Sequence, residues 1–499
     1  MLADPNKEIR AQCFHVLQEF LREICGAPDV SYAPIVHVLV QHASSQDKFS
    51  RLTAITWLHT LVSHGREKLL PFCAQCLNAI LASLAHPEDE IKEAANRADG
   101  TLRSLVQSAS DAHYEMHTVI GALSAHLASQ HVGTLVATLG WVHMLLRKSA
   151  SRVMQLSSQI WPALLKCLSN ASEEVCRLDI EAIAYMASST QQHFAPFIDH
   201  LLKLFREDRG LLEARGTVIV RQLCDLLEPR MVFVSLASAL HQEDDLEFAS
   251  QMVHVLSLIL LTAGEAWELR MLLKQAPTTG TGTAEEGAEL FTTLYPAWAH
   301  NPVALLAMCL LAGAHEHASD LVLQFGALEM SVKFLVQIDR LVQLFESPIL
   351  THVRLLLLEP EQHPHLLKAL WGVLMLLPQS PAYHLLKNRL TSVAELGLLR
   401  LQLQTTRDAA GSKASSSGKA VSASSTVGSK GIDGAAGASS TIDFRKLLKM
   451  YEELQAKHAR LAYKRRQLHG GDANRQKRNP EGSHAPPPNP EAELQTTPF

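Results

Sequence analysis

Cys224 and Arg230 are separated by five residues, the spacing at which a thiolate nucleophile and a guanidinium hold a phosphate group in cysteine-dependent phosphoryl chemistry. The intervening Asp225-Leu226-Leu227-Glu228-Pro229 argues against that chemistry. It has no glycine, its two carboxylates would repel phosphate, and its proline lacks a backbone donor. Met231 follows where a hydroxyl residue is required. A buried, inert thiol and a surface arginine at a helix end are expected instead. Cys73-x-x-Cys76 is half a zinc site with no second pair or histidine pair at finger spacing, and i, i+3 cysteines share a helix face where small apolar residues belong. His113 and His117 are four apart, but the acid between them is Glu115, not a glutamate directly after the first histidine as the zincin motif needs. Solvated helix-surface histidines are the expectation. Gly411…Gly418-Lys419-Ala420 imitates a phosphate loop with two residues too many, and alanine stands where a magnesium-binding hydroxyl belongs. With no nucleophile elbow and no dinucleotide-binding glycine run, the expectation is a non-enzyme with no catalytic or metal site and no cofactor.

The elements that carry these residues follow one rhythm. Polar corners precede amphipathic helices at Asp4-Pro5-Asn6-Lys7-Glu8, His86-Pro87-Glu88-Asp89-Glu90 and Asn170-Ala171-Ser172-Glu173-Glu174. Anchored on Arg10, Arg51, Lys92, Thr134, Arg177 and Arg215, the period runs from 38 to 43 residues, within the range of HEAT and armadillo repeats. Each period reads as two helices. One opens at Pro71 with Phe72, Cys76, Ile80 and Leu84 on a face; its partner buries Ile91, Ala94, Ala95, Ala98, Leu102 and Leu105. Pro34, Pro162 and Pro196 mark comparable helix starts. Helix pairs that cannot bury their own apolar faces stack on neighbours, so the fold class is all-α, a HEAT/armadillo-type α-solenoid. A flexible loop is expected at Pro277–Gly287.

Composition sets the remaining bounds. The chain is 47% hydrophobic, enough for a large core, and its eight cysteines are too sparse for a disulfide framework, which suits a reducing cytoplasmic setting. No signal peptide is visible at the start, and the longest clean apolar run, Val303–Ala314, is too short to span a bilayer. The net charge of −5 conceals a division: residues 445–478 carry +8, leaving −13 on the rest.

The expected organisation is helical repeats over 1–230, a C-terminal helical region over 231–403, a disordered Ser/Gly/Ala linker over 404–441, a basic amphipathic helix over 442–469 and a disordered Pro-rich tail over 470–499. Residues 1–24 read as an interior repeat helix, as if the array began earlier. Leu447, Leu454, Leu461 and Leu468 are spaced by sevens, yet the alternating seam positions hold Tyr451, His458 and Arg465, or Met450, Lys457 and Lys464. Docking on the protein's own body therefore competes with helix pairing. Lys464, Arg465, Arg466, Lys477 and Arg478 are candidates for contact with an anionic membrane or for that docking.

Several segments resemble one family. They are Arg215–Cys224, Glu247–His254, Trp298-Ala299-His300-Asn301-Pro302, Ile338–Pro348 and Leu366–Ser380, with Ile442-Asp443-Phe444, Leu447-Leu448 and Tyr451-Glu452 resembling the family's tail helix. Together they are similar to the C-terminal part of the vacuole-morphology scaffolds, the ArPIKfyve family, over about residues 4–400 and 442–458. The resemblance implies a non-catalytic scaffold that self-associates through its C-terminal region, as a pentamer in the best-known members. Its implied partners are the phosphatidylinositol 3-phosphate 5-kinase, which makes phosphatidylinositol 3,5-bisphosphate, and the Sac-type phosphatase that reverses that step. Nucleic acid is not among them. The implied location is cytoplasmic, peripheral on endosome and vacuole or lysosome membranes, with kinase contacts on N-terminal repeats. From the resembling segments, Arg215, Arg221, His300, Asn301, Asp339, Arg340, Gln343, Glu346, Lys368, Trp371, Gln379 and Ser380 are candidates for the partner or self-association surface. The alternative expectation is a solenoid trafficking or transport adaptor with a basic membrane-binding tail.

Overall fold

The computed structural model describes residues 2, 4–27, 30–188, 191–276, 282–395 and 442–476, with side chains omitted at 191–193, 282–283 and 467–476. The expected linker over 404–441, the phosphate-loop imitation within it, and residues 477–499 with Lys477 and Arg478 lie outside the described residues.

The polar corners become helix starts because their side chains cap the orphan backbone N–H groups. Asn6 accepts from the amide of Glu8, Asp47 from Ser50, Asp208 from Leu211 and Asp245 from Phe248. The repeating basic residues serve the opposite polarity. Arg10 donates to the carbonyl of Asp4 at 2.7 Å, Arg51 to Ser45 at 3.0 Å, and Arg215 to Ala171 at 2.6 Å. These three arginines fasten a helix to the carbonyls of a preceding corner, whereas Lys92 pairs with Asp89 and Arg177 with Glu181 on their own helices, so carbonyl binding accounts for part of the basic period.

Helix pairs stack in two ladders. One comprises Lys48–Gly65, Asp89–Ser108, Val132–Gln155, Glu173–Ser188, Arg209–Leu226 and Leu246–Thr262. The other comprises Tyr32–Ala43, Cys73–Ser83, Met116–His126, Ser157–Cys167, Gln191–Glu207, Pro229–His241 and Gly282–Trp298. Each helix packs on its counterpart in the next repeat and on its own partner, burying one continuous core. No strand occurs among the described residues, and the chain is an all-α solenoid of the armadillo/HEAT type.

Several local expectations change. Pro71 lies within the 3₁₀ helix Arg66–Phe72, and the α-helix begins after it at Cys73. Pro162 and Pro196 sit at the sixth residue of their helices, one turn inside. There the missing N–H forfeits only one intrahelical bond, so a turn can be added upstream. Val106 is buried where Leu105 was expected, and Leu105 is half-buried. His113 lies in a bend ahead of helix Met116–His126. Of the loop expected over Pro277–Gly287, residues 277–281 lie outside the described residues and 282–287 belong to helix Gly282–Trp298. An added Cβ at Gly287 would meet the carbonyl oxygen of Leu272 at 2.4 Å, so glycine permits the close crossing of two helices.

The apolar run near residue 303 forms the short helix Pro302–Ala312, in which every residue from Val303 to Ala312 is buried. A helix apolar all round belongs in a core. It is closed by Gly313 at φ 75°, with the Ala314 amide donating to Cys309 and the Gly313 amide to Leu310. Among the described residues no single helix is long and apolar enough to cross a membrane; the one bent pair that would qualify by length and composition turns through 91°.

Candidate interaction surface

Helix Phe444–Gln476, here called the arm, lies against helices Gly282–Trp298 and His315–Phe325. Phe444, Tyr451, His458 and Arg465 recur every seven residues and form one stripe along it. The Phe444 ring centroid lies 6.0 Å from Phe291 and 5.1 Å from His317. Tyr451 is fully buried. His458 Nε2 meets His300 Nδ1 at 3.2 Å, and between these anchors Gln455 donates to the carbonyl of Ala299 at 2.7 Å. Leu447, Leu448 and Leu454 pack beside the stripe, whereas Leu461 is exposed.

The seat follows from helical spacing. Phe291, Tyr295 and Trp298 fall at i, i+4 and i+7 of one helix and are buried together. The chain then turns at His300-Asn301, where the buried Asn301 side chain accepts from the Ala304 amide and donates to the Ser250 carbonyl at 3.3 Å. That corner fixes His300 under the arm. Across the seat, the Tyr295 hydroxyl and His317 Nε2 are 2.7 Å apart.

Burial governs the charge state of these groups. It pushes His300 down to about 4, helped by His458, His241 and Lys457, and His317 down to about 4 against the opposing pull of Asp320. Burial also lowers His458. The facing imidazoles are therefore neutral at pH 7, and one donates to the other.

Two ion pairs close the far end, Arg465 with Glu247 and Arg466 with Glu329. All four side chains are largely exposed, so each pair contributes about 0.2–1 kcal/mol. Burying one large side chain such as Tyr451 contributes about 1.5–3 kcal/mol. Aromatic burial therefore holds the arm, and the arginines set its register. Where the arm begins, a cleft of about 530 Å³ is lined by residues including Glu316, His317, Asp320, Phe444 and Arg445.

The remaining candidates fall into local clusters. The Ser380 hydroxyl donates to Asp339 at 2.6 Å and Gln343 donates to the same carboxylate at 2.8 Å. Glu346 accepts from Arg389 at 2.6 Å and from Arg354 at 3.2 Å. Arg221 pairs with Glu265 at 2.9 Å, forty or more residues away in the chain. Arg340, Lys368, Trp371 and Gln379 are exposed. Sequence reasoning passed over His317, Tyr295, Arg354 and Arg389. It weighed His458 only as a fault in a helix-pairing seam, and Tyr451 as such a fault and as part of the tail-helix resemblance, although their spacing of seven from Phe444 was the available clue to a stripe.

The chemistry near Cys224 has no support in the geometry. Its thiol is buried and pushed up to about 12, while Arg230 turns to Glu289 at 3.3 Å. Cys73 and Cys76 are likewise buried and raised to about 12 by burial. Thiols in that range stay protonated at neutral pH. Among the described residues no group of three or more His, Cys, Asp or Glu side chains is placed to hold a metal ion.

Residues 209–393 match the sequence family described as "Vacuolar protein 14 C-terminal Fig4p binding". The chain is 42% identical over 394 residues to the Protein VAC14 homolog of Arabidopsis thaliana, covering 79% of this chain and 52% of that protein. It is 30% identical over 370 residues to the vacuole morphology and inheritance protein 14 of Saccharomyces cerevisiae, covering 73% of this chain and 41% of that protein. A computationally designed armadillo repeat protein for modular peptide recognition aligns with 52% of this chain and 99% of its own, at 14% identity and a TM-score of 0.27. The chain thus spans about half the length, or less, of these curated relatives. By sequence, residues 209–393 match the family model described as vacuolar protein 14 C-terminal Fig4p binding, and most of the chain is similar to VAC14 homologues.

Proposed function

We propose that this chain is a non-catalytic scaffold that captures a Sac-type phosphoinositide phosphatase through residues 209–393. The observation carrying this reading is the match of that segment to a family described by Fig4p binding, on a solenoid whose stacked helices offer an extended surface. The buried thiols favour binding over catalysis. The reading extends to the lipid kinase that makes phosphatidylinositol 3,5-bisphosphate, so that opposing activities share one platform on endosome and vacuole or lysosome membranes. Self-association through the C-terminal region, as a pentamer, belongs to the same reading. Mixing the purified chain with the phosphatase, followed by lysine cross-linking and mass spectrometry, tests it. Capture with cross-links at Lys274, Lys333, Lys368 or Lys387 is expected. No capture, or cross-links confined to residues 1–208, overturns the assignment.

A further inference from the structure

With the arm docked, its two faces differ in chemistry. The inner face consists of Phe444, Leu448, Tyr451, Gln455 and His458, and Arg465 and Arg466 are spent on Glu247 and Glu329. These two arginines were candidates for membrane contact or for docking on the body, and the fold engages both with the body. The opposite face carries Lys446, Lys449, Lys457, Arg460 and Lys464 at helical spacing, all exposed. None of the five has a carboxylate partner among the described residues; Glu453 is the one acid on the stripe. From Lys446 to Lys464 the stripe spans roughly 27 Å at helical rise. Tyr463 and Leu461 stand exposed beside its far end.

We propose that this outward stripe is a docking surface for an anionic lipid bilayer. A straight row of long cationic side chains suits a planar surface of negative charge, and each reaches outward because the inner face is anchored. An exposed tyrosine and leucine at the rim match the amphipathic boundary of headgroups and acyl chains. The body is acidic overall, so the arm supplies the attraction that the rest of the chain opposes. Docking has a second consequence: the stripe is held at a fixed place on the solenoid, so a bilayer bound there orients the whole scaffold. The scaffold reading enters only in giving the bilayer a role, since the charge argument stands without it.

The test is co-flotation of the full chain with phosphatidylcholine vesicles containing phosphatidylserine, compared with phosphatidylcholine alone. Binding to the anionic vesicles alone is expected, with a loss of about tenfold or more between low and 0.5 M salt, roughly, as screening shortens the field. Lys446→Gln, Lys449→Gln, Lys457→Gln, Arg460→Gln and Lys464→Gln together should abolish flotation while phosphatase capture is unchanged. Arg465→Gln with Arg466→Gln, which spares the stripe, should still float. Equal flotation of the five-site variant and the wild type overturns the proposal, as does wild-type flotation that is insensitive to salt. Displacement of the chain from vesicles by duplex DNA at an equal phosphate concentration also overturns it, because the stripe would then be a general polyanion site. Lost phosphatase capture in the wild-type chain overturns the scaffold reading alone.

Discussion

Asp179 is the least comfortable residue in the array. It is fully buried on helix Glu173–Ser188, and neither carboxylate oxygen has a hydrogen-bond partner among the described residues. Burial raises its pKa well above the usual carboxylate value, which favours the neutral acid form. Asp99 shows the contrast: it is also buried, but it accepts from Trp141 Nε1 at 2.6 Å and from Arg103 at 2.7 Å. Because the folded-state pKa of Asp179 lies above the unfolded value near ~3.9, the unfolded chain releases its proton first. Its contribution to stability is therefore greatest below about pH 4 and falls as pH rises toward the folded pKa. Asp179→Leu removes an unpaired polar group while keeping the branched heavy-atom skeleton, and where the surrounding core takes up the larger methyl groups, stabilisation of about 1–3 kcal/mol at pH 7 is expected. Urea midpoints measured from pH 4 to 8 should also lose part of their slope. A destabilised variant with the parent's pH slope would show that the carboxyl is paired and charged.

At the scale of an element, the arm behaves as a strap whose hold depends on neutral histidines. His300 and His458 face each other, with His241 and Lys457 nearby, and His317 lies between Tyr295, Asp320 and Phe444. With the arm docked, His300 and His317 lie at about 4, below the free-imidazole value near ~6.5, and burial under the arm supplies part of that depression. The arm's share of that depression makes docking strongest above about pH 6.5 and weakens it as pH falls toward 4. Hydrogen exchange of residues 444–458 should show protection at pH 7.5 that drops by about tenfold or more near pH 5, after correction for intrinsic exchange. Tyr451→Ala should release the arm at any pH, whereas Tyr451→Phe should keep it, because the hydroxyl has no partner among the described residues. Protection that stays flat across this interval would remove the histidines from the docking energy. The repeat period was legible in advance because polar helix-start corners and basic residues recur along the array, several of them as side-chain caps and as arginines on corner carbonyls. The arm's seat was not. Tyr451, His458 and Arg465 look like defects under a rule for apolar seams, and only the fold brings His300, 158 positions earlier, beneath them.

For the whole molecule, the proposed self-association must lie on surface that the solenoid leaves uncovered. Within the segment matching the Fig4p-binding family, Val332 and Val336 stand one turn apart on helix Val332–Phe345, and both are exposed. Trp371 and Met375 repeat the arrangement on helix Pro364–Leu376, with Lys368 one turn before. Single exposed apolar residues are ordinary, but paired ones on neighbouring turns mark faces that gain from being covered. The packing beneath them is tight: an added Cβ at Gly372 would meet Val322 at 2.4 Å, which holds helix Pro364–Leu376 close to His315–Phe325 and presents Trp371 outward on a rigid base. A partner copy would therefore meet a preformed surface and lose little conformational freedom on binding. Mass photometry of the full chain at nanomolar concentration should give a species of five chains. Val336→Asp with Met375→Asp should shift it to single chains, with the helical content unchanged, because both side chains point into solvent. An undiminished oligomer in that variant would place the contact on another face, and a monomeric wild-type chain would remove self-association from the proposed function while leaving phosphatase capture to stand on its own test.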